Sequence, residues 1–334
     1  MPRVAVLLPV RNAAATARAA IVSILRGGYR DLELIAVDDG STDGTGAVLE
    51  RLAARDPRLR VLRGPGEGIA LALDRALTAS DSELVARMDG DDVSWPGRLA
   101  EQVAALDADP ALTVVGARVR LFPRRQVRDG MRRYVGWLNS LTTPELVARD
   151  LFVEAPLVHP ASLLRRSALA AVGGWRAGDF PEDYDLWLRL AANRARMSNL
   201  PRTLLDWREG AARLTRTDPR YALDRHVSLK CAALASGPLR GRIEVALWGA
   251  GETGRAFADG LLRSGIRVVA FVEVDRKKVG RTIRGAPVHS FEEVERLRGL
   301  PLLVAVGAPG ARELIRAELT TRGFEELRDY RCVA

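Results

Sequence analysis

Apolar runs of strand length alternate with amphipathic helical stretches along the first part of the chain. Continuous apolar runs occupy residues 3–10, 32–40 and 58–64, and helical periodicity fills the intervals at 13–26 and 44–55. Such runs are typical of strands buried on both faces of a parallel sheet, with the helices packed on those faces. The pattern therefore predicts an α/β fold with a mostly parallel sheet.

The same alternation continues to about residue 195. Helices are predicted at 68–79 and 96–107, with strands at 83–88 and 112–122, and a basic helical section follows at 130–150. The run from His159 to Ala195 then predicts a strand, a helix, a glycine turn and a second helix. We expect all of these strands to extend the first sheet and the helices to pack on its faces.

A change of composition separates a second domain from the first. Residues 196–241 are rich in arginine and contain three prolines, which predicts loops and one helix, with "SGPLRGR" (236–242) as the best linker. A compact βαβ pattern begins after it. The expected division is a first domain at 1–220, a helical or linker segment at 221–241, and a small Rossmann-like α/β domain at 242–334.

The charge balance favours anionic partners without choosing among them. The chain has 51 basic and 42 acidic residues, a net charge of +9 and a pI near 10.3. Arginines concentrate at 118–133, with seven against one aspartate, and residues 193–242 carry eleven basic against four acidic side chains. Each segment is either a solvated basic face or a surface for phosphate or lipid. No aromatic-basic motif points to nucleic acid, which we do not expect as a partner.

Cysteine usage and hydropathy suggest where the protein works. Cys231 and Cys332 are too few for a disulfide framework or a zinc site, which fits a reducing compartment. The start of the chain does not resemble a signal peptide, and no apolar run reaches the roughly 18 residues that a membrane span needs. We expect a cytoplasmic protein, either free or peripheral to the inner membrane face.

Carboxylates crowd at the predicted ends of two strands. Asp38 and Asp39 follow the second strand in "DDGSTD", and Asp89, Asp91 and Asp92 follow a later one in "DGDD". Like charges this close repel unless a cation or hydrogen-bond donors compensate them, although Asp and Gly are also common in solvated turns. In open α/β sheets ligands bind at the carboxyl ends of the strands, so both clusters are candidates for a binding site.

Four motifs together resemble family 2 glycosyltransferases over about residues 3–215. They are "VLLPVRN", "VDDGSTDGT", "ARMDGDD" with "PGRLAEQV", and "GGW…PEDYDLWLRL", in that order. The resemblance implies a GT-A fold that binds a nucleoside-diphosphate sugar. It also implies a metal-dependent, inverting transfer of the sugar to an acceptor hydroxyl, in the synthesis of a glycan, polysaccharide or glycolipid.

The resemblance assigns roles to particular residues. Asp89 and Asp91 occupy the Asp-x-Asp positions that hold Mn²⁺ or Mg²⁺, hard cations that prefer carboxylate oxygen. Asp39 matches the carboxylate that recognises the nucleotide base, and Arg11 stands where many relatives carry an aromatic residue. The whole set implied for the donor nucleotide is Pro9, Val10, Arg11, Asp38, Asp39 and Asp89.

The acids before "YDLWLRL" are implied to act on the acceptor. Asp183 aligns with the family's general base, and Glu182 is placed to orient the acceptor. An alternative is that Glu182, Asp183 and Asp185 stabilise the helix dipole, because acids are favourable in a first helical turn. His159 is interpreted as a structural or acceptor-side histidine rather than a metal ligand.

A glycine loop in the second domain matches the dinucleotide-binding fingerprint. "GAGETG" contributes Gly249, Gly251 and Gly254 between a strand and a helix, and Glu273 and Asp275 follow about 20 residues later. The loop is either a second nucleotide site or a packing module.

Two other functions compete with the transferase. One is a catalytically inactive nucleotide-sensing or scaffold protein, against which the intact Asp39, Asp89, Asp91 and Asp183 argue. The other is a dehydrogenase acting through the second domain, for which no hydride-transfer residue can be named.

Overall fold

Residues 1–210 and 213–334 are described by the computed structural model, which contains two β-sheets. Contacts divide the chain into two compact units. Unit 1 comprises Met1–Ala148, Pro156–Gly178 and Glu182–Thr217, and unit 2 comprises Arg149–Ala155, Asp179–Pro181 and Asp218–Ala334. The domain boundaries expected from the sequence stay a prediction.

The first sheet has eight strands. They are β1 (Val4–Val10), β2 (Leu32–Asp39), β3 (Leu59–Gly64), β4 (Leu84–Arg87), β5 (Val93–Ser94), β6 (Leu112–Phe122), β7 (Leu163–Arg165) and β8 (Arg196–Arg208). The helices in this part of the chain are α1 (Ala17–Leu25), α2 (Thr45–Ala53), α3 (Ile69–Thr78), α4 (Arg98–Ala108), α5 (Asp129–Leu138), α6 (Pro144–Asp150), α7 (Arg166–Ala171), α8 (Glu182–Ala192) and α9 (Leu214–Thr217).

The strand order is β3-β2-β1-β4-β7-β6-β8-β5. Parallel pairs join β1 to β2 and β4, β2 to β3, and β6 to β8, while β7 runs antiparallel to both neighbours and β5 antiparallel to β8. The sheet is therefore mostly parallel, as the sequence predicted. Its parallel strands end at one edge, which is where the acidic motifs lie.

Burial explains why the apolar runs became central strands. All seven residues of β1 are buried, and α1 turns Ala17, Ala20, Ile21 and Ile24 toward the sheet at helical spacing. Full burial of an isoleucine side chain contributes roughly 1.5–3 kcal/mol relative to exposure. The apolar residues of the sequence pattern are therefore the residues that form the packed core.

One prediction for the first sheet was wrong. Residues 196–208 were expected to form loops, but they form β8, a strand of 13 residues paired with β6. Ala117 pairs with Leu200 while Arg118 pairs with Thr203, so Pro201 lies in a bulge of the ladder. Proline cannot donate to a ladder and is tolerated at such irregular positions. The prolines that suggested loops therefore interrupt the pairing without ending the strand.

The second sheet belongs to unit 2 and has six strands. They are β9 (Glu244–Trp248), β10 (Arg267–Glu273), β11 (Thr282–Ile283), β12 (Ala286–Ser290), β13 (Leu302–Val304) and β14 (Tyr330–Cys332). The accompanying helices are α10 (Leu223–Ser236), α11 (Glu252–Arg263) and α12 (Ala311–Thr321). The order is β11-β12-β10-β9-β13-β14, parallel except at β11. In the part of the chain that the structure describes, no helix is both long and apolar enough to cross a membrane.

Candidate functional site

The carboxyl ends of β1, β2 and β4 form the floor of the candidate site. In the register of the sheet Val10 lies beside Asp38, and Leu7 lies beside Arg87. A Cβ atom on Gly90 would stand 2.4 Å from Cγ1 of Val10, so only glycine allows the loop after β4 to approach the end of β1 this closely. The acidic loop and the first strand are thereby held together.

Three aspartates converge in that loop. One carboxylate oxygen from each of Asp89, Asp91 and Asp92 lies within 4.8 Å of the others. Burial, followed by the charge of Asp89, raises the pKa of Asp91 to about 6, and the same two causes raise the pKa of Asp92 well above its ordinary value. The cluster is therefore electrostatically unfavourable by itself, and its three oxygen donors suit a hard divalent cation.

Asp92 is the most buried member of the cluster. Its Oδ1 accepts the backbone N–H of Arg208 at 2.7 Å, which fastens the loop to the end of β8. Its Oδ2 is buried without a hydrogen-bond partner among the described residues. A buried carboxylate oxygen without a donor is costly, and a cation beside it would remove that cost.

Arg87 is a functional candidate that the sequence analysis missed. Its side chain is 3% exposed and forms an ion pair with Asp89. Burial lowers the pKa of Arg87. The charge of Asp89, the hydrogen bond that Arg87 donates to it, and the charges of Glu182 and Asp92 together outweigh burial and raise that pKa. The guanidinium therefore stays charged beneath the acidic loop. An arginine inside the apolar run "LVARM" was the signal that could have identified it.

Arg208 is a second positively charged side chain beside the aspartate cluster, in addition to Arg87. Its Nε donates to the backbone oxygen of Asp91 at 2.7 Å, and its guanidinium lies 4.5 Å over the ring of Phe122. The charge of Arg208 opposes the rise in the pKa of Asp91. Because residues 196–208 were expected to be loops, the sequence offered no reason to bring Arg208 to this edge.

Asp39 organises the loop between β3 and α3. Its Oδ1 accepts the backbone N–H groups of Gly66 and Glu67 at 3.0 and 3.1 Å, and its Oδ2 accepts that of Gly68 at 2.7 Å. A carboxylate has about four acceptor positions, so one remains for a ligand. Asp38 differs, because its Oδ1 accepts the N–H of Ser41 at 3.1 Å within its own turn.

Pro9, Val10 and Arg11 form the end of the first strand and the turn beyond it. Pro9 and Val10 are buried, whereas Arg11 is exposed. A Cβ atom placed on Gly66 would stand 3.8 Å from Nη1 of Arg11, so the guanidinium lies beside the loop that Asp39 holds. The residues expected around a nucleotide base therefore border one another.

The three acids at the start of α8 differ in their surroundings. Glu182 is buried, with Oε1 4.0 Å from Nδ1 of His159. Asp185 pairs with Arg189 one turn later at 2.7 Å. Asp183 is partly exposed, and its Oδ1 accepts the N–H of Tyr184 at 2.7 Å. Asp183 is thus the most accessible of the three to an acceptor.

His159 is enclosed by the side chains around Glu182. Its Nε2 accepts the indole N–H of Trp175 at 2.9 Å, and its ring meets that of Trp187 edge-on at 5.8 Å. Burial, and then the charge of Arg87, lowers the pKa of His159 well below its ordinary value. A neutral imidazole with these contacts favours the structural interpretation of His159.

The glycines in the loop of unit 2 differ in whether a side chain would fit at their positions. Gly249 has φ +111°, and a Cβ atom on Gly254 would stand 1.8 Å from the Gly249 oxygen. Packing of the loop on itself therefore requires both glycines. A Cβ atom on Gly251 would meet nothing within 4 Å, so the position before α11 faces open space.

Glu273 lies beside this loop at the end of β10. Its Oε2 accepts the N–H of Ala250 at 3.2 Å and contacts Nζ of Lys278 at 3.0 Å. Burial raises the pKa of Glu273, but the hydrogen bond from Lys278, with backbone N–H donors, outweighs burial and lowers it. Glu273 is therefore a charged residue that supports the loop from below.

Comparisons with known proteins agree on the character of the first unit. The family model described as "Glycosyl transferase family 2" matches residues 5–173. EpsE of Bacillus subtilis, which is named as a glycosyltransferase, is 32% identical over 231 residues, covering 68% of this chain and 80% of EpsE. The succinoglycan biosynthesis protein ExoU of Rhizobium meliloti is 31% identical over 211 residues, covering 58% of each chain.

A solved structure supports the fold. The mannosyltransferase PcManGT from Pyrobaculum calidifontis, in complex with GDP-Man and Mn²⁺, superposes with a TM-score of 0.53 at 22% identity. The match covers 79% of this chain and 69% of PcManGT. The large mostly parallel sheet is thus shared with a known sugar transferase.

Proposed function

Because the chain belongs to glycosyl transferase family 2, we propose that it moves a sugar from a nucleoside-diphosphate sugar to an acceptor hydroxyl with inversion. The predicted family is confirmed, as are the GT-A type fold and the class of enzyme, a glycosyltransferase. The main observation that supports sugar transfer from a nucleoside-diphosphate donor is the cluster of Asp89, Asp91 and Asp92 beside the ends of β1 and β2. The intact cluster argues against the inactive-scaffold alternative.

The donor would lie along the carboxyl edge of the sheet. Its base would enter the corner formed by the first two strands, where one acceptor position of Asp39 remains for a base N–H. The residues proposed to contact the nucleotide are Pro9, Val10, Arg11, Asp38, Asp39 and Asp89. The support is that a neighbour with this fold is described in complex with GDP-Man.

Asp89 and Asp91 would hold a divalent cation, Mn²⁺ or Mg²⁺. When bound, the cation supplies positive charge that stabilises the departing diphosphate. The buried and unpartnered Oδ2 of Asp92 supports a cation at this place, and the PcManGT complex contains Mn²⁺. Arg87 would keep Asp89 oriented from below through their ion pair.

Asp183 would act as the general base. As the acceptor oxygen attacks the anomeric carbon, its proton passes to the Asp183 carboxylate, and the bond from that carbon to the diphosphate breaks on the opposite face. A single displacement of this kind inverts the anomeric configuration. The partial exposure of Asp183 supports this role, while the buried Glu182 would orient the acceptor side of the site from beside His159.

The acceptor would be a growing glycan or a lipid-linked sugar in polysaccharide or glycolipid synthesis. ExoU, a relative at 31% identity, is named for succinoglycan biosynthesis. A cytoplasmic location fits the two cysteines, which are both buried and unpaired. We also propose that unit 2 is a Rossmann-like domain with a second nucleotide site, formed by Gly249, Gly251, Gly254 and Glu273. The open space beside Gly251 supports this site.

The test measures donor binding and product configuration separately. Nucleoside-diphosphate sugars should raise the melting temperature with Mn²⁺ and much less with chelator, since a ligand of the folded state stabilises it. Asp89→Ala should lose this shift, whereas Asp74→Asn on the exposed face of α3 should keep it. An equal shift with and without metal would refute metal dependence. Retained configuration in the product, read by NMR, would refute inversion.

A further inference from the structure

Five exposed arginines form a basic surface directly after β6. The basic surface consists of Arg124, Arg125, Arg128, Arg132 and Arg133. The ten residues 124–133 contain one acid, Asp129, so this short segment carries a net charge of +4 of the chain's +9. A large part of the excess positive charge is therefore concentrated in one place.

The arginines of the basic surface are not needed for packing. Helix α5 turns Val135 and Leu138 into the core, and Met131 and Tyr134 pack against that core partly buried. The arginines occupy the opposite side of the helix and the turn before it, and all five are exposed. The local sequence thus builds an amphipathic element whose outer side is almost purely cationic.

Neighbouring acids leave this charge largely uncompensated. Arg132 approaches Asp129 at 3.8 Å, in a pair whose side chains are 54% and 89% exposed. Within residues 1–210 and 213–334 the other four arginines form no ion pair. By contrast Arg120, in the adjacent strand, is paired with both oxygens of Asp206 at 2.8 and 2.7 Å. Ion-paired arginines therefore occur in this region, but four of the five arginines of the basic surface are not among them.

The position of the basic surface relates it to the candidate site. Strand β6 ends at Phe122, which pairs in register with Arg208, and Arg208 donates to the backbone oxygen of Asp91. The basic surface therefore begins two residues beyond the strand end that flanks the acidic cluster. Both features lie at the same edge of the first sheet.

We propose that the basic surface binds the anionic phospholipid headgroups of a membrane and turns the carboxyl edge of the first sheet toward that membrane. Several exposed guanidiniums spread over a turn and a helix match a plane of negative charge. Single-stranded nucleic acid fits less well, because its binding needs free aromatic rings for stacking. The aromatic rings of α5, Tyr134 and Trp137, are packed against the core. This inference does not depend on the proposed chemistry, since membrane binding requires neither donor nor metal.

Vesicle binding by the full chain tests the proposal. Each arginine near an anionic surface should increase partitioning about fivefold, and the effect should weaken with salt. The variant replaces four arginines by glutamine: Arg124, Arg125, Arg128 and Arg133. Its partition coefficient on vesicles of phosphatidylcholine with one quarter phosphatidylglycerol should fall several-hundred-fold at low salt. Pure phosphatidylcholine vesicles should not bind the wild type.

A matched variant removes the same charge from the opposite edge of the sheet. It replaces four exposed arginines near the ends of α1 and α2 by glutamine: Arg26, Arg30, Arg51 and Arg55. This control should keep partitioning within a few-fold of wild type, and circular dichroism should show both variants folded. An equal loss in both variants would overturn the proposal in favour of net charge alone. Failure of the wild type to bind anionic vesicles, or equally tight binding to double-stranded DNA at the same salt, would also overturn it.

Discussion

Replacing Asp91 by Asn should stabilise the metal-free protein at pH 8 while removing its stabilisation by Mn²⁺. Burial and the charge of Asp89 raise the pKa of Asp91 to about 6 in the folded chain. When the pKa of a carboxyl is higher in the folded chain than in the unfolded chain, the carboxyl favours folding most at a pH where it is protonated in both the folded and the unfolded chain. Its contribution is fully present below about pH 4 and is lost as the pH rises through about 6. At pH 8 the charged carboxylate therefore opposes folding.

The magnitude follows from the size of the pKa shift. The shift from 3.8 to about 6 is about two units, and each unit corresponds to 1.36 kcal/mol, so the penalty at pH 8 is about 3 kcal/mol. Because the charge of Asp89 acts on both Asp91 and Asp92, this penalty belongs to the cluster, and removing one charge relieves it. Asn keeps the shape of the side chain without the charge. At pH 4 the difference between variant and wild type should approach zero.

Urea unfolding at pH 8 and pH 4, with chelator and with Mn²⁺, measures both effects. Asp91→Asn should be about 3 kcal/mol more stable than wild type at pH 8 with chelator, and Mn²⁺ should stabilise only the wild type. Asp74→Asn is the control for loss of an exposed carboxylate and should change neither value. A variant less stable than wild type at pH 8 without metal, or a gap that does not shrink at pH 4, would refute the reasoning.

Four further substitutions test other parts of the molecule. Asp183→Asn should lower turnover roughly 10²- to 10⁴-fold with unchanged donor affinity and at most about 1 kcal/mol loss of stability; near-normal turnover would remove Asp183 as the base. Gly251→Val should leave unfolding unchanged and block any nucleotide bound to unit 2, whereas Gly254→Val should destabilise that unit through its backbone clash. Unaltered nucleotide binding in Gly251→Val, measured by calorimetry, would favour the packing module. Arg87→Met should destabilise the metal-free protein by about 3 kcal/mol in urea unfolding, because Asp89 loses its buried partner; a stabilised variant would contradict this.

The parts of the fold that the sequence predicted depend on local pattern. The runs that became β1 and β2 are apolar throughout, and the turn chemistry of "DDGSTD" and "DGDD" marks where the strands end. Because parallel strands end at a common edge, the proximity of Asp39 and Asp89 to that edge could be inferred without coordinates. Periodicity and topology were sufficient for this half of the site.

The missed parts depend on contacts between distant segments. The run that became β8 contains Pro201, and only its long pairing with β6 shows that the proline occupies a bulge rather than a loop. Arg87 lies in a buried strand, where its charge is explained by Asp89 and by Glu182, 95 residues later in the chain. Local propensity does not encode such tertiary compensation. The β11–β12 pair was missed because β11 has only two residues and the proline in β12, Pro287, argues against a strand when the sequence is considered alone.

The two missed arginines change how the acidic cluster should be understood. The carboxylates of Asp89 and Asp91 face the guanidiniums of Arg87 and Arg208, and these two arginines offset the charge of two carboxylates. The edge by itself therefore has little attraction for a diphosphate. A divalent cation held by the aspartates would add two positive charges to the same edge. Donor affinity should therefore depend on the cation because the arginines already neutralise the carboxylates, and a chain without them would need the cation merely to reach neutrality.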